Sequence, residues 1–150
     1  MAILWRISDF EDLHGIGGLK ASGRWHSQGH LIVYLAEHPA LALLEVMAGL
    51  DIDLEDLPDR FKLLKVEVDD AELSQCHVPT LHNDWVKNER GTQSEGNNWL
   101  KANQTLLAKV PSAILPESTN YLFNASHPNA KHAKIIDVIH FPFDERLVSS

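Results

Sequence analysis

Leu31-Ile-Val-Tyr-Leu-Ala36, followed across Glu37-His38 by Pro39-Ala-Leu-Ala-Leu-Leu-Glu-Val-Met-Ala-Gly-Leu50, is the stretch from which the fold is read. Its first part, β-branched and aromatic, predicts a buried strand, and His38-Pro39 turns the chain into a helix. Pro39 suits the first turn of that helix and Gly49 its end. The run between them is apolar on every side, the pattern of a buried helix, and it is too short to cross a bilayer. Glu45 is the one charged residue in it. A carboxylate expected to be buried needs a cation, several donors or a bound ligand, and removing the partner of a buried pair costs ~3–5 kcal/mol. On the helix Glu45 shares its face with Leu41, Ala42, Ala48 and Gly49, so its partner must come from elsewhere in the fold or from a substrate.

The segment upstream supplies candidates. Between positions 13 and 36 there is no Asp or Glu, although the chain carries 21 acids against 13 bases and a formal net charge of -8. Lys20, Arg24, His14, His26 and His30 lie there instead, among Gly15, Gly17, Gly18, Gly23 and Gly29, which let a ligand or another strand approach the backbone. A cationic, glycine-bearing wall in an acidic protein suggests a small anionic ligand. Strand, turn and helix would bring Arg24, Tyr34 and Glu45 into one region.

Further strands are expected over 3–7, 23–26, 61–68, 106–110, 113–115, 121–124 and 135–139, and a helix over 97–105. Residues 51–59 read as a surface connection, and 69–91 as polar and irregular with a short helix near Ala71. Strands that succeed one another without intervening helices favour α+β over a doubly wound sheet. No Gly-x-Gly-x-x-Gly joins a strand to a helix, so a Rossmann-type dinucleotide site is excluded. With 150 residues and 44% hydrophobic content, the chain is expected to be one domain over 1–150 whose core needs no metal or disulfide.

Cys76 is the one cysteine and cannot form an internal disulfide; the N-terminus lacks the pattern of a secretory signal, so the cytoplasm is expected. The acidic balance disfavours nucleic acid, and no membrane segment is expected. Among nine histidines, His77 and His82, like His127 and His132, are five apart, which is not the i, i+4 spacing of a zinc helix, so no metal site is expected. Trp5, Trp25, Trp85 and Trp99 read as core or pocket wall. From spacing alone, Arg24 is a surface residue, a partner of Glu45 or a ligand contact. Tyr34 is a core aromatic or a pocket wall, and Glu45 is ion-pair glue or a catalytic carboxylate. Ser112 either bonds local backbone or serves the site, and it lacks the context of a nucleophile.

Gly23-Arg24-Trp25, the Tyr34 strand, Ala42-Leu-Leu-Glu45, Val110-Pro-Ser112 and Asn120-Tyr-Leu-Phe-Asn, followed by His127-Pro128, resemble in order the motifs of the RES-domain family. The resemblance runs from Trp5 to about Phe141, with His26 standing where the family often has Asn. It implies an α+β fold with a mixed β core and flanking helices like that of ADP-ribosyltransferases. The family's members are toxins of bacterial toxin–antitoxin pairs that consume NAD or transfer its ADP-ribose. It implies that Glu45, Arg24, Tyr34 and Ser112 are catalytic and that Arg24, Tyr34, Ser112, Trp25 and Asn120 contact NAD. NAD would be a substrate, with no cofactor. The implied partners are an Xre-type antitoxin that covers the pocket and a second copy in a toxin dimer; His127 could serve only its turn. The acceptor of the ADP-ribose, whether water, phosphate or a protein, is left open. An RNA-cleaving toxin and a non-catalytic ligand-binding module are the competing readings.

Overall fold

The computed structural model describes residues 1–50 and 61–140. Its strands are β1 (Ala2–Ser8), β2 (Ile32–Ala36), β3 (Lys62–Val68), β4 (Leu107–Pro111), β5 (Thr119–Asn124) and β6 (Ala133–His140). Its helices are α1 (Gly17–Lys20), α2 (Pro39–Leu50), α3 (Asp70–Ser74) and α4 (Glu89–Ala102). The strands join in one sheet, in the order β4-β5-β2-β1-β3-β6, which is the expected α+β arrangement. Every strand pair in it is antiparallel. Among the described residues, parallel pairing is confined to one bridge, in which His77 lies along the outer edge of β4 at Ala108.

Alternation along β2 distributes its side chains between the two faces of the sheet. Val33 and Leu35 enter a core with Leu4, Val66, Leu107 and Phe123, and each such buried side chain contributes roughly 1.5–3 kcal/mol. On the opposite face Ile32 joins Trp25, Trp99, Leu100 and Leu122, whereas Ala36 joins Ile7, Leu41, Ala42 and Leu63. That face is thus covered in two parts, by α4 over β4 and β5 and by α2 over β1 and β3. Between the two parts the sheet itself opens. β1 pairs along its length with β3 and β2 with β5, but β1 and β2 meet only at Trp5–Ala36.

Several expectations change. Residues 23–26 form a turn closed by a Gly23–His26 bridge, and 113–115 form a turn as well, because in both places side-chain bonds to the backbone replace a strand partner. The helix expected over 97–105 starts earlier, at Glu89, and ends at Ala102. Asn88 caps its first turn by accepting from the Gly91 N–H, and Asn103 ends it in the left-handed conformation at φ 53°. The segment 69–91, polar in sequence, holds α3 and a 3-10 turn at Trp85–Lys87. Helix α2 is not buried all round: Leu41 and Ala42 face the sheet while Leu44 is 41% exposed. The connection expected over 51–59 lies outside the described residues. No helix among the described residues is long and apolar enough to cross a membrane.

Candidate active site

The opening between β1 and β2 leads into a cavity of about 400 Å³, within the range of small-molecule sites. Its walls are Trp5 and Arg6 from β1, residues 32–36 from β2, Ala42 and Glu45 from α2, and Gly18 with 21–24 from the glycine-bearing segment; Asn120 closes one end. Arg24, Tyr34 and Glu45 therefore do converge.

Glu45 is half-buried, and its partner is a hydroxyl rather than a cation: Ser112 Oγ donates to Glu45 Oε1 at 2.8 Å. Ser112 is itself fully buried. Its oxygen accepts from the N–H groups of Ile114 at 3.1 Å and Leu115 at 3.2 Å. With both lone pairs engaged by the turn that follows β4, the one hydroxyl proton is directed onto Glu45. Ser112 is thus unfit as a nucleophile and well suited to hold the carboxylate. Glu45 Oε2 has no hydrogen-bond partner among the described residues.

Arg24 makes no ion pair with Glu45. Its Nη2 donates to the carbonyls of Trp85 and Val86, both at 2.6 Å, and its guanidinium lies 5.6 Å from the centroid of the Trp85 ring. Nε is buried and has no hydrogen-bond partner among the described residues. The turn that carries Arg24 is fastened from α4. Thr92 Oγ1 donates to Arg24 O at 2.6 Å, Gln93 Nε2 donates to Gly23 O at 2.9 Å, and Asn97 exchanges two bonds with Ser27. Gly96 permits this contact, since a Cβ there would overlap the carbonyl oxygen of Trp25. These α4 residues were missed in the sequence because their role depends on a partner loop some 70 residues away.

Trp25, expected from the resemblance to contact the ligand, is 3% exposed, packs on Trp85 at 5.9 Å between ring centroids and does not line the cavity. Its backbone N–H still serves the site, donating to the Tyr34 hydroxyl at 3.1 Å. Tyr34 lines the cavity, and burial, its largest influence, pushes its pKa up, with Glu89 and Glu45 adding to the rise. It stays a neutral phenol. Asn120 is buried and lines the cavity, and its side chain makes no hydrogen bond among the described residues. His127 organises its turn, with Nδ1 accepting from the Asn129 N–H at 3.0 Å.

The cationic wall is smaller than the sequence suggested. Lys20 and His14 are exposed and do not line the cavity, whereas His26 is buried at its wall. Arg6, which the sequence reading passed over, lines the cavity from β1. Its Nη1 donates to Asp12 O at 2.7 Å; burial pulls its pKa down and Asp12 opposes that. A lone arginine in an amphipathic strand carries no local signal, so only the split in the sheet reveals it. Among the described residues no group of three His, Cys, Asp or Glu side chains gathers to hold a metal.

A cavity with a fixed carboxylate, two arginines and an aromatic wall can hold an anionic ligand and stabilise positive charge developing beside Glu45. The chain matches the family model described as RES domain over residues 3–144. It is similar to "Toxin Res" of Pseudomonas putida (strain KT2440), at 48% identity covering 97% of this chain and 99% of that one. It is also similar to "Prs ADP-ribosylating toxin" of Sphingobium sp. (strain YBL2), at 36% identity covering 96% and 95%. In fold it is similar to a chain in the crystal structure of the M.tuberculosis MbcT-MbcA toxin-antitoxin complex, with a TM-score of 0.71 at 16% identity, covering 93% of this chain and 84% of that one.

Proposed function

From a chain that belongs to the RES domain family, and from the chemistry its cavity can perform, we propose a bacterial toxin that cleaves the nicotinamide–ribose bond of NAD. The observation that carries this reading is the Glu45–Ser112 pair: a carboxylate at the cavity wall, held by one oxygen through a buried hydroxyl. As the C–N bond breaks, its electron pair leaves with nicotinamide and the ribose C1 gains oxocarbenium character. Glu45 stabilises that charge and orients the nucleophile that then bonds to C1. Arg24 and Arg6 meet the diphosphate, Tyr34 walls the nicotinamide, and Asn120 offers its amide to the ligand. NAD is a substrate here, and the reaction requires no metal.

The name of the Sphingobium relative supports ADP-ribose transfer, and the toxin–antitoxin complex of similar fold supports an antitoxin partner. We place the protein in the cytoplasm with an Xre-type antitoxin and a second toxin copy. The test is to incubate the purified protein, freed of antitoxin, with NAD and a chelator, following nicotinamide release and total RNA integrity in parallel. Nicotinamide release with RNA intact is the expected result. Free ADP-ribose, its 1″-phosphate or labelled protein then identifies the acceptor as water, phosphate or a side chain. Stable NAD beside degraded RNA would overturn the reading in favour of a nuclease. Activity lost to the chelator and restored by zinc would overturn its metal-free form.

A further inference from the structure

Tyr34 and His26 form a closed hydrogen-bond chain whose direction can be read from its ends. His26 Nε2 lies 2.9 Å from Ala21 O, and a carbonyl can only accept, so Nε2 carries the proton. In the neutral ring Nδ1 is then bare and accepts from the Tyr34 hydroxyl 2.6 Å away. The phenol oxygen accepts in turn from the Trp25 N–H. Gly23 presses on the same hydroxyl, since a Cβ there would stand 2.5 Å from it, and its N–H donates to His26 O at 3.0 Å. The turn that carries Arg24 is therefore braced from below by Tyr34 and His26.

We propose that His26 is the positioning residue of this site, and that its neutral, Nε2-protonated form is the one in which Tyr34 and the Arg24 turn are set for reaction. The inference rests on the NAD reading above. A proton added at Nδ1 turns that nitrogen into a donor aimed at a hydroxyl that already accepts from Trp25. The phenol proton then loses its acceptor in a buried place. The titratable and charged groups around the couple are His30 before β2, which bears on His26, Glu45 on α2 and Glu89 at the start of α4, which bear on Tyr34, and Arg24 and Arg6, which line the same cavity. Burial, the largest influence, holds the His26 pKa below its ordinary 6.5, and His30 lowers it further, while the carbonyls of Ala21 and Gly18 oppose both. The unfolded chain therefore takes up this proton first. The brace contributes full stability above about pH 6.5 and loses it as pH falls toward the folded pKa.

Three observations on the full chain test this. Long-range ¹⁵N NMR of the histidine rings should show His26 with Nε2 protonated and Nδ1 bare at pH 7.5, and should give the midpoint at which Nδ1 gains a proton. The acid limb of kcat/KM for NAD should share that midpoint, falling about tenfold per pH unit below it. His26→Asn, which offers an acceptor in the place of Nδ1 and does not titrate, should keep activity at pH 7.5 and lose that limb. His26→Gln, which reaches Ala21 and not Tyr34, should raise KM. A bare Nε2, a limb away from the NMR midpoint, or an unchanged limb in His26→Asn would overturn the proposal. If the variants do not fold, the wild-type tautomer and midpoint still decide it. If the wild type shows no NAD turnover, the NAD reading fails while the NMR result judges the brace by itself.

Discussion

Glu45→Gln should separate catalysis from stability, and the structure sets the size of both effects. Gln can present its carbonyl oxygen to the Ser112 hydroxyl, so the 2.8 Å contact survives with a neutral acceptor in place of a charged one. A hydrogen bond to a charged group is worth roughly 1.5–3 kcal/mol and a neutral one roughly 0.5–1.5 kcal/mol, so about 1 kcal/mol is lost. Removing a half-buried charge that makes no ion pair among the described residues recovers part of that. Net stability should stay within about 1 kcal/mol, a Tm shift of no more than about 4 °C at this chain length. Chemistry should suffer far more. Loss of one fixed electrostatic stabiliser costs about 10²–10³ in kcat, roughly 2.7–4 kcal/mol, while NAD binding, which depends on the arginines and Tyr34, should persist. Differential scanning fluorimetry, NAD binding by calorimetry and nicotinamide release would be measured on one preparation. A folded variant that releases nicotinamide at near the original rate would refute the reasoning, and an unfolded one would assign Glu45 to structure.

Two more substitutions test the Arg24 turn. Arg24→Lys keeps the charge but loses the planar fork and the stacking on Trp85, so the protein should fold, turn over NAD poorly and show a KM raised roughly tenfold or more; unchanged kinetics would make Arg24 a mere fastener of the Trp85–Lys87 turn. Gly96→Ala should destabilise by about 2 kcal/mol net, because a Cβ overlapping the Trp25 carbonyl forces α4 away at the upper end of a cost of roughly 1–3 kcal/mol, less the gain of about 1 kcal/mol in helix propensity. An equal or higher Tm would mean that α4 and the turn are not in the contact described.

Local pattern was enough for the elements that depend on neighbours in the chain. The β-branched run of β2, the Pro39 start of α2 and the alternation of β3 are settled over a few residues, and they placed Tyr34 and Glu45 on adjacent elements before any tertiary contact was known. The single charge in α2 was a strong signal because only a specific partner makes such a residue tolerable. Of the upstream glycines, Gly15, Gly18 and Gly23 mark close approach, Gly18 against His30 O and Gly23 against the Tyr34 hydroxyl, while Gly17 and Gly29 face open space. What the pattern of α2 misjudged was exposure: apolar residues on all sides look the same whether a neighbouring element covers them or not, and Leu44 is left open.

Tertiary structure decided the identity of each partner. Ser112 reaches Glu45 across 67 positions, Arg24 reaches Trp85 across 61 and Thr92 reaches Arg24 across 68. No spacing rule in the sequence ranks such pairs. The same holds for Arg6, made a cavity residue by the parting of β1 from β2, and for Trp25, withdrawn into the core by α4. It holds as well for His26, whose ring is buried and whose Nδ1 meets a phenol supplied by β2. Local sequence could therefore determine that a carboxylate, an arginine and a tyrosine lie near one another. Which atom each of them holds followed from long-range packing, because hydrogen bonds have direction and buried donors and acceptors must be matched one by one.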